Sequence, residues 1–543
     1  MLKMSDDEKE NMEDKESSRM VKSKGPVSSD DLIEELARNR SWKYTALIMS
    51  LMLVWMAGPS CAYITSFAGI DPTPEDTWSC TSEMCLNMTR DDVSLLRQFP
   101  CEITKEVDGK KELILGPSDI EWNLEHTSFS VEFDLYCNVG ARKARKTLLS
   151  SIFFAGALTG LILGGFLFDK IGRKKSAVIG VAIAAMSLFL GTFCHNYIFL
   201  LALRYSLGVG RYLMSTGMYI LTVELVPAKH RNLINAWASC LWAFGYPFVV
   251  GIGYFTESWN YMFLAASIVF MLASLQVFIC TESPRFYLIQ NDVKAAKKAF
   301  GALAKLNNMD LDLEFTEITD VGKTEDREQS FRQQFIELIR YPSLRLETFI
   351  LMAIWMAVAM FYYGFNFGWG KILPNRYLGY IMAGVGELIS YVLAVPLIAW
   401  LGRRRAMIFM FVGAALVYLI AIPNVEIGGG WTLESVVCLI GVIFVSGSFS
   451  GVYLWTGEIA PTTHRGFVFS ISSSAARVGS FIGPFIFNNL APITHKAVPL
   501  GILAFLAVLC ILGSFLLVET EDKAIPLTGK DVEERRKCYK HQL

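Results

Sequence analysis

Twelve apolar stretches, each 18 to 30 residues long, follow one another along the chain and are separated by more polar segments. A helix needs about 20 apolar residues to cross the hydrocarbon core of a bilayer, where every backbone N–H and C=O must find a partner inside the protein. These stretches therefore predict an all-α membrane protein with twelve transmembrane helices. The predicted spans are 44–69, 147–168, 176–194, 197–226, 233–255, 259–280, 346–370, 377–400, 406–423, 433–457, 466–490 and 498–518.

The composition excludes several classes of protein. Charged residues make up 19% of the 543 positions, below the roughly 25% of soluble domains, and the net charge of −1 gives no sign of a nucleic-acid partner. The sequence has no G-x-x-x-x-G-K-[ST] motif for ATP, its six histidines are too scattered for a metal site, and no catalytic triad is evident. We therefore expect neither an enzyme nor a cofactor.

Four segments lie outside the predicted spans and mark the domain organisation. They are an amino-terminal tail at 1–43, a loop at 70–146, a charged loop at 281–345 and a carboxy-terminal tail at 519–543. In the first tail, the apolar pattern after Ser28 predicts a short amphipathic helix. The remaining residues divide into a first half at 44–280, which includes the 70–146 loop, and a second half at 346–518.

Lysines and arginines in the short loops predict the orientation, because cytoplasmic loops are enriched in these residues. With the amino terminus inside, the short cytoplasmic loops hold ten basic residues and the short outer loops hold three. Both termini are therefore predicted to be cytoplasmic, in a multi-pass protein of the plasma membrane, with the bilayer as its permanent surroundings. Four basic residues before the second span disagree, but they end a long loop, where this rule is weak: Arg142, Lys143, Arg145 and Lys146.

The 70–146 loop has the features of an extracellular segment. It contains Cys80, Cys85, Cys101 and Cys137, which predict two disulfides with three possible pairings, and Asn87-Met-Thr, which is a sequon for N-glycosylation.

An internal repeat relates the two halves. Glu224-Leu-Val-Pro-Ala-Lys-His-Arg231 and Glu458-Ile-Ala-Pro-Thr-Thr-His-Arg465 share the pattern E-x-x-P-x-x-H-R at a displacement of 234 residues. Gly172 is likewise followed by basic residues, as is Gly402, 230 positions later. Two pairs at nearly one offset predict two six-helix halves in the same orientation.

Local motifs then indicate the family. Residues 164–174 resemble the loop signature G-x-x-x-D-R/K-x-G-R-R/K of the major facilitator superfamily. Residues 130–137, 282–286 and 476–480 are similar to motifs of the solute carrier family of organic cation, organic anion and carnitine transporters, which has a long cysteine-rich loop after its first span. The resemblance covers the chain from about Asp30 to about Thr520. It implies the major facilitator fold and transport of small organic ions by alternating access, in a protein that functions as a monomer.

Ionisable residues deep in predicted spans are the main candidates for substrate binding, since a buried charge in a membrane is costly. Arg477 and Glu387 lie near the midpoints of their spans, and they either form a buried ion pair or offer one charge each to a substrate. By resemblance, arginine at position 477 is typical of anion and carnitine carriers, and Glu387 with Tyr391 matches the carnitine branch. These residues favour a zwitterionic or anionic substrate. Arg204 resembles an arginine of the superfamily, whereas Arg211 has no assigned role.

Aromatic residues at similar depth could form a wall for the cationic end of such a substrate. The candidates are Tyr362, Tyr363, Phe367, Tyr391, Phe449, Tyr453 and Trp242, with Tyr246 and Trp237 as weaker ones.

The repeated charged motifs are predicted to act in gating, through ion pairs that break during transport and cap helices of the opposite half. The gating candidates are Asp169, Gly172, Arg173, Lys174, Glu224, Arg231, Arg403, Glu458 and Arg465.

Three alternatives stay open: an organic cation transporter on the same fold, a sugar porter and a non-transporting sensor. The sequence does not determine whether sodium or protons are coupled to transport.

The sequon yields a first test. Glycosidase treatment should lower the apparent mass of the protein from cell membranes, and Asn87→Gln should remove that shift because it removes the acceptor amide. The gel mobilities of the unaltered protein and of Asn87→Gln, each with and without glycosidase, measure this shift. A shift that persists in Asn87→Gln would contradict an extracellular position for residue 87.

Overall fold

The computed structural model describes most of the helical part of the chain. The described residues are 27–38, 41–70, 77–80, 103–107, 110–115, 120–123, 127–136, 140–227, 230–309, 318, 331–372, 375–427, 431–461, 463–490, 494, 497–521 and 526–540. Cys85, Cys101, Cys137 and Asn87 lie outside them, and so the predicted disulfides and glycosylation stay predictions.

Twelve long helical segments in this part of the chain follow the predicted order, which confirms the major facilitator architecture. Spans 1 to 6 are Trp42–Ala68, Gly140–Ile171, Arg173–Gly191, Tyr197–Glu224, Arg231–Phe244 continued by Tyr246–Phe255, and Trp259–Ile279. Spans 7 to 12 are Pro342–Ile372, Arg376–Leu401, Arg403–Ile427, Trp431–Ile459, Arg465–Phe485 continued by a π-helical turn at Ile486–Leu490, and Ala497–Leu516.

Ten of these segments are long and apolar enough to cross a membrane on their own. The other two, span 4 and span 11, carry Arg204, Arg211 and Arg477, whose side chains are buried inside the bundle. Because these charges face other helices and not lipid, the two spans tolerate a lower hydropathy. Span 2 packs against spans 4 and 11, and span 5 packs against span 8.

The first loop shows that the chain is not purely helical. Strand β1 (Thr77–Cys80) pairs antiparallel with β4 (Ile120–Asn123), and β2 (Ile103–Val107) pairs with β3 (Lys110–Leu115). The predicted all-α membrane fold is confirmed, and this loop adds two short β-ribbons outside the membrane domain. We call the end of the bundle that carries these strands the ribbon end.

Short helices flank the opposite end of the bundle. Ser29–Arg38 is the predicted amphipathic helix, and the Ser28 hydroxyl accepts a hydrogen bond from the Asp31 amide at 3.1 Å. The segment between the halves contains the helices Pro284–Ile289, Val293–Leu306 and Phe331–Arg340. The last helix, Gly529–Lys540, is held to span 7 by an ion pair of 2.9 Å between Arg535 and Glu347.

The internal repeat appears in three dimensions as two similar clusters, at what we call the repeat end. Gly172, with φ of 101°, precedes span 3, and the Glu282 carboxylate accepts hydrogen bonds from the Arg173 and Lys174 amides at 3.0 to 3.1 Å. The Arg173 guanidinium lies 3.2 Å from Glu224. A carboxylate at a helix N-terminus satisfies amides that have no partner within the helix.

The second cluster repeats these contacts. Gly402, with φ of 81°, precedes span 9, and the Glu519 carboxylate accepts from the Arg403 and Arg404 amides at 3.0 and 3.1 Å. The Arg403 side chain pairs with Glu458 at 3.0 Å. The two glycines and the two Arg–Glu pairs thus occupy equivalent places in the two halves.

In each cluster, the interacting residues come from the same half. The sequence predicted that they cap helices of the opposite half, and these contacts do not do so. Asp169 pairs with Arg173 at 3.3 Å, and the Lys174 ammonium donates to the Cys280 carbonyl at 2.6 Å. For Arg231 and Arg465, the Nε atom is buried and has no hydrogen-bond partner within the described structure. The clusters therefore tie together the helices of one half.

The turn at Gly172, which the repeat shares with Gly402, predicts that adding a side chain at this position lowers the stability of the protein. In Gly172→Ala, the new Cβ would lie 2.3 Å from Glu282 Oε2, and the backbone would keep a left-handed φ. We expect a loss of about 1–3 kcal/mol of stability. The matched control is Gly165→Ala, whose Cβ meets nothing within 4 Å. Thermal unfolding of the purified protein in detergent measures both, and equal melting temperatures would contradict the role of this turn.

Candidate functional site

We call the buried region between the two halves that contains Glu387, Arg477 and their tyrosine partners the chamber. Span 8 places Glu387 in the middle of the bundle. Its side chain is fully buried. Carboxylate oxygen Oε1 accepts a hydrogen bond of 2.7 Å from the Tyr246 hydroxyl and another from the Tyr362 hydroxyl. Tyr391 also lies close enough to interact with this carboxylate. Oxygen Oε2 has no hydrogen-bond partner by geometric criteria within the described structure.

Arg477 is the charged residue on the other side of the chamber. Span 11 buries its side chain against span 4, where the Tyr212 hydroxyl accepts a hydrogen bond of 3.0 Å from Nη1 and the Tyr212 ring lies 4.6 Å from the guanidinium carbon. The Tyr453 hydroxyl interacts with the same guanidinium. The Nε–H group is buried without a hydrogen-bond partner within the described structure.

Arg477 and Glu387 do not pair with each other. Both residues belong to the described part of the chain, and no ion pair joins them. Tyrosines fill the space between them, since the Tyr362 and Tyr363 rings meet at 4.9 Å and Tyr363 interacts with the Tyr212 hydroxyl. The ion pair left open by the sequence is therefore excluded in this conformation.

The other predicted aromatic residues line the same chamber. Trp242 donates a hydrogen bond of 2.7 Å from Nε1 to the Tyr362 hydroxyl, and Phe449 packs at 5.5 Å from the Tyr362 ring. Tyr453 lies 4.4 Å from the ring of Trp355. Phe367 lies 5.2 Å from the ring of Tyr63.

Three tyrosines of the chamber were missed by the sequence analysis: Tyr63, Tyr212 and Tyr380. Tyr63 packs at 5.7 Å from Tyr246 and 5.5 Å from Tyr380. Tyr63 belongs to span 1, in which no substrate residue was predicted, and Tyr212 follows an arginine whose role was unassigned. Tyr380 precedes Glu387 by seven residues on the same face of span 8, a spacing that could have indicated it. The positions of Tyr63 and Tyr212 depend on how the spans pack, which no local motif indicates.

Arg204 has a structural role. Its guanidinium donates to the carbonyl oxygens of Leu149 at 3.1 Å, Cys61 at 2.7 Å and Ala62 at 3.3 Å, and it lies 5.2 Å above the Phe153 ring. These contacts join spans 1, 2 and 4. A guanidinium that is bound by carbonyl groups in this way is not available to a substrate.

The halves also meet toward the ribbon end. The Thr147 hydroxyl donates to Asn489 Oδ1 at 2.6 Å, which joins spans 2 and 11. The Tyr377 hydroxyl donates to the Gly253 carbonyl at 3.2 Å, which joins spans 8 and 5. These contacts hold the two halves together between the chamber and the ribbon end.

Within the described ranges, no group of three or more His, Cys, Asp or Glu side chains could hold a metal ion.

Comparison with known proteins identifies the family. The model of the family "Sugar (and other) transporter" matches residues 123–522, well over half of the chain. The chain belongs to this family. Solute carrier family 22 member 3 of Rattus norvegicus is 28% identical over 504 residues, covering 90% of this chain and 89% of the relative. Solute carrier family 22 member 6-B of Xenopus laevis is 26% identical over 469 residues, covering 84% and 82%.

Solved structures show the same fold. The inward open conformation of the xylose transporter XylE from E. coli superposes with a TM-score of 0.59 at 15% identity, covering 91% of this chain and 99% of that one. The predicted resemblance to the superfamily and to its solute carrier family is confirmed. The protein is a multi-pass membrane transporter, and its family and fold are those of transporters and not of enzymes.

The contacts of Arg204 predict that a substitution at this position lowers the stability of the protein and does not change its substrate specificity. Arg204→Lys keeps the charge but cannot reach three carbonyl groups, and so it should destabilise the folded protein by about 2–4 kcal/mol. Thermal unfolding in detergent measures this loss. Arg38→Lys is the control, because the Arg38 side chain is 82% exposed. An unchanged melting temperature for Arg204→Lys would contradict the structural role.

Proposed function

We propose that this transporter carries small organic ions with a carboxylate group, either zwitterions of the carnitine type or anions, by alternating access between its two halves. The observation that carries this proposal is the separation of Arg477 from Glu387. Each charge is buried on its own side of the chamber and contacts tyrosine hydroxyls. Each keeps one polar atom without a hydrogen-bond partner among the described groups.

Two buried charges that are separate can bind a substrate more readily than two charges that already pair with each other. If Arg477 and Glu387 formed an ion pair, a substrate would have to break that pair before it could bind, at a cost of several kcal/mol. In this proposal the substrate carboxylate binds the planar guanidinium of Arg477, while its cationic group binds Glu387. A zwitterion satisfies both buried charges at once.

The surroundings of the two charges also fit their proposed ligands. Tyr246, Tyr362 and Tyr391 surround Glu387 with hydroxyls and ring faces, and a quaternary ammonium is attracted both to a carboxylate and to aromatic rings. Arg477 offers a donor fork of the kind that binds carboxylates with two parallel hydrogen bonds. Phe449 and Phe367 add apolar walls for the methylene groups of the substrate.

The repeat-end clusters are proposed to control access to the chamber, with the repeat end on the cytoplasmic side, both termini cytoplasmic and the protein acting as a monomer in the plasma membrane. Each cluster binds the ends of neighbouring spans in one half, through Arg173 with Glu224 and through Arg403 with Glu458. Changing these ion pairs would shift the population of the two access states and change the transport rate more than the intrinsic affinity.

The Glu387 carboxylate alone supports a second candidate function. Glu387 with its tyrosines would also bind a simple organic cation, with Arg477 held by Tyr212 and Tyr453 as a structural group. In that case the substrate needs no carboxylate.

Substitutions at both charges distinguish the two candidates. Arg477→Ala should lower uptake of carnitine and of small carboxylates by roughly thirtyfold to several thousandfold, since losing one partner of a buried charge pair costs about 2–5 kcal/mol. Arg477→Lys should recover part of this uptake. Glu387→Gln should lower uptake of carnitine and of tetraethylammonium while sparing a simple carboxylate. Uptake of the labelled compounds into cells, normalised to surface protein, measures all of these.

The matched control is Arg340→Ala, which removes an exposed arginine outside the spans and should leave uptake unchanged. If the unaltered protein carries tetraethylammonium and no carboxylate, the second candidate function replaces the first.

A further inference from the structure

Arg211 is a second buried arginine of span 4 and, unlike Arg204, has no set of carbonyl partners. Its side chain is 2% exposed, and its Nε and Nη2 atoms have no hydrogen-bond partner within the described structure. Its guanidinium carbon lies 5.7 Å from the centre of the Trp55 ring. A cation–π contact contributes about 0.5–2 kcal/mol, which is small beside the cost of burying an arginine without hydrogen bonds.

The position of Arg211 connects it to the proposed substrate site. Tyr212, the next residue, binds Arg477, and the two guanidinium groups are close enough to repel each other. On its other side, Arg211 Nη2 lies beside Trp242, whose Nε1 donates to the Tyr362 hydroxyl next to Glu387. One indole ring therefore separates Arg211 from the group around Glu387.

Glycine at position 58 allows the Arg211 guanidinium and the Trp242 ring to lie against the backbone of span 1. A Cβ on Gly58 would lie 2.8 Å from Arg211 Nη2 and 2.2 Å from the Trp242 ring. Any other residue here would push the indole or the guanidinium aside. Arg211 Nη2 thus lies close to the backbone of span 1 and still has no hydrogen-bond partner within the described structure.

The balance of charges in the chamber also favours an anionic ligand at Arg211. Arg211, Arg477 and Glu387 give the chamber two positive charges and one negative charge, while Arg204 is bound by carbonyl groups. A zwitterion placed on Arg477 and Glu387 adds no net charge, so that Arg211 stays without a counter-charge in a low-dielectric environment. An additional anionic group would supply both the missing charge and the missing acceptors.

We propose that Arg211, beside Gly58 and Trp242, is a second anion-binding position of the chamber, which holds a compact oxyanion group in addition to the carboxylate bound by Arg477. This proposal rests on the proposed function. The oxyanion is either the second acidic group of one substrate molecule or a separate small anion that binds together with the substrate.

The test compares glutarate with its monomethyl ester, which differs by one acidic group, in binding to the purified full-length protein by thermal shift and calorimetry. The unaltered protein should bind glutarate at least tenfold more tightly than the ester. If instead the second anion is separate, sodium sulfate at constant ionic strength should tighten binding of the ester at least tenfold. Arg211→Gln should remove either gain and change the affinity for the ester alone by less than twofold. Arg211→Lys should keep part of the gain.

The control is Arg340→Gln, an exposed arginine that should leave both affinities unchanged. If the unaltered protein binds the ester but gains nothing from a second acidic group or from sulfate, Arg211 is not an anion-binding position, although the proposed function stands. The same conclusion follows if Arg211→Gln weakens binding of glutarate and of the ester equally. If neither the ester nor carnitine binds to the unaltered protein, the proposed function fails and the second position fails with it. If Arg211→Gln does not fold, Arg211→Lys supplies the comparison: a gain equal to that of the unaltered protein would contradict the role of the Arg211 guanidinium.

Discussion

The requirement to satisfy buried charges without water shapes the centre of this protein. Arg204, Arg211, Arg477 and Glu387 are each at most 5% exposed in a bundle whose outer surface faces hydrocarbon. An uncompensated charge in such surroundings is costly. Arg204 meets the requirement with backbone carbonyls, which fix spans 1, 2 and 4 relative to one another, whereas Arg477 and Glu387 meet it with tyrosine hydroxyls.

Tyrosine partners give the chamber a property that ion pairs would not. A phenolic hydroxyl can both donate and accept, so that Tyr362 donates to Glu387 while it accepts from Trp242. Such a hydroxyl can rotate toward a new partner when a substrate arrives, at a small cost compared with breaking a buried ion pair. The carrier can therefore keep its charged residues stable when empty and still offer them to a substrate.

The sequence predicted the features that are local and failed on those that depend on packing. Span length, the E-x-x-P-x-x-H-R repeat and the buried Arg477 and Glu387 all follow from residue type and spacing. The tyrosine partners of these charges do not, because Tyr212 approaches Arg477 across 265 positions of sequence. The β-ribbons lack a strong apolar alternation, and the sequence could not show that Arg173 and Arg403 find their partners within one half.

The placement of these contacts indicates where movement can occur. Within the first half, Arg173 binds Glu224 while Glu282 caps span 3, so that the ends of spans 3, 4 and 6 are held together. The second half repeats this arrangement through Arg403, and each half is therefore braced separately. Between the halves, the contacts at the centre are ring contacts and hydrogen bonds such as that from Arg477 to Tyr212. A substrate carboxylate that takes over this guanidinium removes a bond between the halves and supplies a new one, and so its binding can alter how the two halves sit against each other.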